Sequence, residues 1–364
     1  MPTCRPGVFA RFARATSVLF LTVSLAACAS KSPVTSGASP AADGETRVGV
    51  AGAPPLKLAM VTDVGGLGDK SFNDSAYAGL LAAKSRLGAD VQVLQSKSAA
   101  DYQPNLTVLA DQDFDEVFAI GALMNHDIAS VAKIYPRKHF AIVDATVDLA
   151  NVTSLTFREQ DGSFLAGSLA ALVSKTKHIA FLGGVDIPLL RKFEAGFTAG
   201  AHQIDPAVVV STKYVGSFED VASGKELAGV LFDSGADIVF VAAGKSGLGA
   251  IDQVRGRAHD YVIGVDGNQD ALAPGKILTS VVKRVDVAVF KTAQQARAQK
   301  LPAGPVEFGL KDDGVGLTDF HYTRRIVGAA NLAKLATLRD AIVNGRIVPP
   351  ATRESLAAFK PVTL

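Results

Sequence analysis

A chain of 364 residues, 48% hydrophobic and 20% charged, can bury a large core and is long enough for two domains rather than one. It reads as globular. Its 37 basic and 35 acidic residues nearly cancel, so a basic nucleic-acid-binding surface is not supported at the level of net charge.

Arg5, Arg11 and Arg14, with no acidic residue among them, precede an uncharged run from Ala15 to Ala27, the n-region and h-region of an export signal. The apolar core from Val18 to Ala27 is too short for a transmembrane anchor, which needs about 20 apolar residues. The run ends in Leu25-Ala26-Ala27-Cys28, which resembles the lipobox of bacterial lipoproteins. That resemblance implies removal of residues 1–27 as a signal peptide and acylation of Cys28, palmitate included, as a lipid anchor. Cys4 would leave with the peptide, so no intramolecular disulfide is expected. Removing the three arginines from 37 basic residues leaves 34 against 35 acidic ones, a mature charge near −1. Residues 28–55, rich in Ser, Ala, Gly and Pro and without an apolar period, read as a flexible tether. The mature domain is expected outside the cytoplasm, on the periplasmic side if two membranes are present. Ala29 stands where an aspartate would resemble an inner-membrane retention signal, so inner or outer membrane stays open.

Leu58-Ala59-Met60-Val61 predicts a strand, Asp63 to Asn73 a glycine-rich turn, and Ser75 to Ala83 a helix by its apolar spacing. Strand signals follow at Val91–Leu94, Glu116–Gly121, His139–Asp144 and Val152–Phe157, with helices around Asn105–Gln112, Asp127–Ile134 and Gly162–Val173. A second series then starts, with strands at His178–Gly184, Val208–Ser211, Ile238–Gly244 and Tyr261–Asp266. Its helices are expected at Leu189–His202, Ala222–Phe232 and up to Val254. Ile277–Lys283 predicts a late strand and Val285–Ala298 a helix; the end, from Val306, predicts one more strand and one or two helices. The strands are continuously apolar, as parallel strands covered on both faces are. Both series carry a glycine-ended and an aspartate-ended strand (Gly121 and Asp144; Gly244 and Asp266), which points to two similar α/β lobes facing each other. If the Val285 helix packs on the first lobe, the chain crosses between lobes more than once and makes a hinge.

The six histidines show no metal-ligand spacing, and no metal or cofactor is expected. Gly244-Lys245-Ser246 mimics the end of a phosphate-binding loop, but the required first glycine falls at Val239. No Gly-x-Ser-x-Gly elbow is present. What remains is carboxylates at strand ends: Asp63, Asp144 and Asp266 either cap helices and loops or point into a crevice beyond the sheets. There they would accept hydrogen bonds from vicinal hydroxyls or ring N–H groups, the donors of a sugar or nucleoside. Asp63 would repel a phosphate, against which the turn offers only Lys70. Phe72 is either a wall for a flat ligand or core, and Asn73 both donates and accepts. Lys283 is either a cation at a hinge or a solvated lysine, and Phe193 and Phe218 are either core or a second aromatic wall.

Asp63-(x)6-Lys70-Ser71-Phe72-Asn73, Phe164-Leu165-Ala166-Gly167, Gly183-Gly184 with Gly196-Phe197, Ala243-Gly244-(x)2-Gly247 and Gly264-Val265-Asp266, in this order, resemble the basic membrane protein family of bacterial lipoproteins. The similarity runs from about Leu56 to the C-terminus. It implies a type I periplasmic-binding-protein fold: two similar three-layer Rossmann-like α/β lobes with parallel sheets, joined by three hinge strands. The expected division is 56–155 plus about 284–310 for lobe 1, and 156–283 plus about 311–364 for lobe 2. The resemblance also implies a non-enzymatic, monomeric receptor that holds a purine nucleoside and delivers it to an ABC permease. By position, Phe72 would stack on the base, and Asp63, Asn73 and Asp144 would hydrogen-bond base or ribose. Asp266 and Lys283 would hold the ribose, with Gly244 in the cleft lining. Some members place the second aromatic near the strand end before the glycine motif, where this chain has Ala242-Ala243. Other ligands of the same fold (a sugar, a modified nucleoside, a signalling molecule), a nucleoside-cleaving enzyme and a surface adhesin are the alternatives.

Overall fold

The structure, a computed structural model, describes residues 54–363. The signal-like segment, Cys28 and the tether as far as residue 53 lie outside the described residues.

The first half alternates β1 (Lys57–Thr62), α1 (Phe72–Leu87), β2 (Asp90–Gln95), α2 (Tyr102–Ala110), β3 (Glu116–Ile120), α3 (Asn125–Ile134), β4 (Phe140–Val143) and β5 (Val152–Phe157). The series restarts with α4 (Glu159–Val173), β6 (His178–Gly183), α5 (Pro188–Ile204), β7 (Val209–Tyr214), α6 (Val221–Asp233), β8 (Ile238–Ala242), α7 (Gly247–Arg255), β9 (Tyr261–Asp266) and β10 (Ile277–Lys283). After it come α8 (Val285–Arg297), β11 (Gly304–Phe308), β12 (Val315–Leu317), α9 (Arg324–Val327), α10 (Ala329–Val343) and α11 (Arg353–Ala357).

The strands form two six-stranded sheets, in the orders β2-β1-β3-β4-β5-β11 and β7-β6-β8-β9-β10-β12. The two orders are the same pattern repeated, as the restart of strand and helix signals implied. Alternate residues of each strand serve opposite faces. Leu58 and Met60 pack under α1 and α8, while Ala59 and Val61 pack under α2 and α3. In the second sheet Phe181 and Phe240 face α4 and α5, and Leu182 and Val241 face α6 and α7. Both sheets are thus the middle of three layers, which is why their strands read as unbroken apolar runs.

The chain passes between the sheets three times: at Arg158, at Arg284, and between Phe308 and Val315. The three passages are hydrogen-bonded to one another, Arg158 N to Phe308 O at 2.9 Å and Arg284 N to Gly314 O at 2.9 Å. The last passage corrects the expected C-terminal end. It carries two strands rather than one, one in each sheet, and three helices rather than one or two. Strand β12 pairs antiparallel with β10, the exception in otherwise parallel sheets. With three residues centred on Gly316, it carries no apolar period to read. Helix α10 gives Leu335 to the second core and Leu338, Ala341 and Ile342 to the first, and Phe359 beyond α11 meets Phe164 edge-on at 5.9 Å.

Helix α1 starts at Phe72, three residues before its apolar period, because Asp69 receives the amides of Ser71, Asn73 and Asp74 at 2.8–3.1 Å. Helices α4 and α5 touch backbone to backbone: a Cβ on Gly167 would lie 1.8 Å from Phe197 O, and one on Gly200 1.9 Å from Phe164 O. Gly167→Ala should force the pair apart and cost about 1–3 kcal/mol or more, read as a lower urea midpoint with an unchanged m value.

Candidate functional site

In open parallel sheets the space beyond the strands' carboxyl ends is where ligands collect. Here the carboxyl ends of both sheets face one cavity. From the first sheet come Asp63 after β1, Phe72 and Asn73 at the start of α1, and Asp144 after β4. From the second come Gly244 after β8, Asp266 and Lys283 ending β9 and β10, with Phe193 of α5 and Phe218 before α6. All nine cavity residues singled out in the sequence meet there; Cys28 lies outside the described residues.

Each carboxylate is held in a different way. Asp63 Oδ1 accepts from Gly65 N at 2.9 Å and Asn73 Nδ2 at 2.8 Å, and Asn73 Nδ2 also donates to Asp69 Oδ2 at 3.0 Å. Both donors of that amide are therefore taken within the protein, and its Oδ1 is buried with no partner. Asp144 and Asp266 have positive φ, 73° and 60°, a conformation aspartate tolerates and which turns the chain sharply out of the strand. Asp144 Oδ2 takes the Lys283 ammonium at 2.5 Å, and its Oδ1 is buried without a partner. Asp266 Oδ2 accepts from Ser71 Oγ of the facing lobe at 2.6 Å, and Gln269 Nε2 donates to Lys70 O at 3.0 Å. These two hydrogen bonds join the lobes in a closed arrangement.

Lys283 is 2% exposed, which removes the solvated reading. Its ammonium lies 5.0, 5.1 and 5.8 Å from the ring centres of Phe72, Phe157 and Phe193, and 3.4 Å from Glu159 Oε1. Phe193 is core and cavity lining at once, packed against Phe240 as well as facing Lys283. The Phe218 ring lies over Gly184, where a Cβ would come within 2.3 Å of it, and beside Ala243 and Gly244. Gly184 and Gly244 thus leave room for an aromatic delivered from another loop.

Asp69, Ser71, Gln269 and Glu159 were not singled out in the sequence. Asp69 carried a readable signal, an aspartate just ahead of a helix start. Glu159 carried none, since Arg158-Glu159-Gln160-Asp161 looks like any polar first turn. Among the described residues there is no metal-ligand cluster and no helix long and apolar enough to cross a membrane.

Burial pushes Asp63 up to about 6 against its hydrogen bonds from Asn73 and Gly65. Burial likewise pushes Asp144 up to about 7, with Lys283 opposing and Glu159 adding to the shift. Asp266 is raised by burial against Lys283 and Ser71. Burial alone would lower Lys283, but Asp144, Glu159 and Asp266 together hold it above the usual lysine range.

Two facing lobes, a jointed hinge and a cavity of acceptors and aromatic rings define a two-lobed α/β protein with an interlobe site for a small solute. A family profile described as "ABC transporter substrate-binding protein PnrA-like" matches residues 56–352, and the chain belongs to that family, Bmp. The chain is 38% identical over 317 residues to a CD4+ T-cell-stimulating antigen of Listeria monocytogenes, covering 80% of this chain and 87% of that one. It is 34% identical over 318 residues to the ABC transporter nucleoside-binding protein BmpA of Lactococcus lactis, covering 81% and 89%. Among solved structures, an ABC transporter solute-binding protein of Aeropyrum pernix superposes with a TM-score of 0.77 at 27% identity, covering 84% of this chain and 96% of that one. The protein is therefore a non-enzymatic, extracytoplasmic substrate-binding protein, and the nucleoside-cleaving alternative falls away.

Raised carboxylate pKa values mean that the folded protein binds more protons than the unfolded chain, so stability falls as pH rises through about 6 to 7. Glu116, wholly buried at the start of β3 with both oxygens unpartnered and its pKa well above normal, acts with the same sign. Without ligand, the melting temperature should rise as pH is lowered from about 8 to about 5, read by calorimetry.

Proposed function

We propose that this substrate-binding protein captures a purine nucleoside between its lobes, residues 56–155 with 284–310 and residues 156–283 with 311–364, and hands it to a membrane permease. The observation that carries this reading is the pair of buried, unpartnered acceptors, Asn73 Oδ1 and Asp144 Oδ1, on residues that line the same cavity as Phe72 and Phe218. Acceptors without donors call for a ligand that brings N–H or O–H groups, and aromatic rings in the lining favour a flat one. Phe72 and Phe218 would sandwich the base, and Asp63, Asn73 and Asp144 would receive its ring N–H groups or a ribose hydroxyl. Asp266 and Lys283 would hold the ribose. The relative named as a nucleoside-binding protein supports the same assignment. Acylation at Cys28 would tether the receptor, as a monomer, to a membrane beside its permease.

The carboxylates Asp63, Asp69, Asp144, Asp266 and Glu159 outnumber the nearby cations, so an added phosphate would meet repulsion in a poorly screened space. Inosine, guanosine or adenosine at about 100 times Kd should stabilise the protein by about 2.7 kcal/mol in a thermal melt. The matching monophosphates should give no shift, and ribose alone a smaller one. A folded protein that no nucleoside stabilises would overturn the assignment. Phe72→Ala should weaken nucleoside binding about tenfold by calorimetry, the scale of a lost aromatic contact.

A further inference from the structure

Behind Asp144 and Lys283, which line the cavity, stand two further charges, Glu159 and Lys192, that do not line it. Glu159, the first residue of α4, sits at the Arg158 passage and is 1% exposed. Its Oε1 is 3.4 Å from Lys283 Nζ, and its Oε2 is 3.1 Å from Lys192 Nζ of α5. Lys192 Nζ is anchored in turn on Phe157 O, the end of β5, at 3.2 Å. The order Asp144, Lys283, Glu159, Lys192 alternates in sign and runs from the first lobe through the hinge into the second. Lys283 is hydrogen-bonded to one oxygen of Asp144 and in ionic contact with Glu159, and Asp144 Oδ1 and Glu159 Oε1 are both left without a hydrogen-bond partner.

We propose that Glu159 is a positioning residue of the ligand site: secured by Lys192, it draws the Lys283 ammonium back toward the hinge, so that Asp144 keeps Oδ1 open for the bound solute. The inference rests on the reading of this cavity as the nucleoside site. An ammonium has three donors, and with Glu159 neutral no charge behind it would compete with Asp144. Lys283 would then turn onto both Asp144 oxygens and close the acceptor.

The charged groups facing Asp144 are Lys283 from β10, Glu159 from α4 and Asp266 from β9. Lys192 stands behind Glu159, while Asp63, Asp69 and Lys245 line the same cavity. Removing Glu159 deletes a like charge and strengthens the Lys283 pair. Removing Lys192 leaves the charge of Glu159 uncompensated. The two substitutions therefore act on Asp144 in opposite directions, which a general loosening of the fold would not do.

The test uses the full mature domain and two readouts. In ligand-free protein, the carboxyl carbon of Asp144 is followed by NMR against pH, with Asp144→Asn to assign it. Glu159→Gln should move its titration midpoint down by about one unit, Lys192→Gln should move it up, and Glu159→Asp should restore most of the wild-type value. Isothermal titration with inosine then asks whether the site feels it. Glu159→Gln should lose about tenfold in affinity at every pH, whereas the Lys192→Gln deficit should disappear as pH is raised. Lys192 is partly exposed, so its variant stays informative if Glu159→Gln folds poorly. Midpoints that do not move, or move in the same direction, would overturn the positioning role. So would opposed midpoints with unchanged inosine affinity. Wild-type protein that binds no inosine while its midpoints shift as described would overturn the nucleoside reading instead.

Discussion

One buried ammonium holds the arrangement together. Taking a lysine out of water costs several kcal/mol unless its charge is matched, and Lys283 is matched by Asp144 and Glu159 at the seam between the sheets. Without it, those carboxylates and Asp266 would share a low-dielectric space with their repulsion unopposed. The same cation is ringed by Phe72 and Phe157 from the first half of the chain and Phe193 from the second. It therefore sets three things together: where the lobes meet, how the cavity's aromatic faces are oriented, and which carboxylate oxygens stay unpaired.

Closure rests on much less. Ser71 to Asp266 and Gln269 to Lys70 join the lobes beyond the hinge, and such bonds contribute about 0.5–1.5 kcal/mol each. A solute touching both walls adds contacts that exist only in the closed form, and such differential contacts shift the equilibrium between open and closed. Release needs nothing more than their loss. A receptor that must give up its cargo is well served by a cavity whose own lobe-to-lobe bonds are few, and by a hinge whose three passages are hydrogen-bonded to one another.

Much of the molecule was legible in the sequence, for definable reasons. Strands covered on both faces must be apolar throughout, so β1, β3, β6, β8 and β9 announced themselves. Aspartates ending such strands stood out as charges where burial was expected, which brought Asp63, Asp144 and Asp266 into view. Short or glycine-broken elements were not legible: β12 is three residues around Gly316, and α1 begins early only because Asp69 folds back on its first amides. Phe218 remained ambiguous because its role depends on Gly184 and Gly244, distant in the chain, leaving space for its ring.

By itself the sequence determined the repeated α/β plan, the family and the kinds of side chain at the strand ends. The plan and the strand ends follow from local periodicity and from residues adjacent in the chain, and the family from the resemblance of its motifs. Only the tertiary structure decided that Lys283 is buried rather than solvated, that Glu159 and Lys192 stand behind it, and that Ser71 reaches Asp266 across 195 positions. The reason is physical. Burial, charge pairing and the vacancy of a single carboxylate oxygen are properties of the space between two lobes, and that space is created only when the chain has crossed the hinge three times.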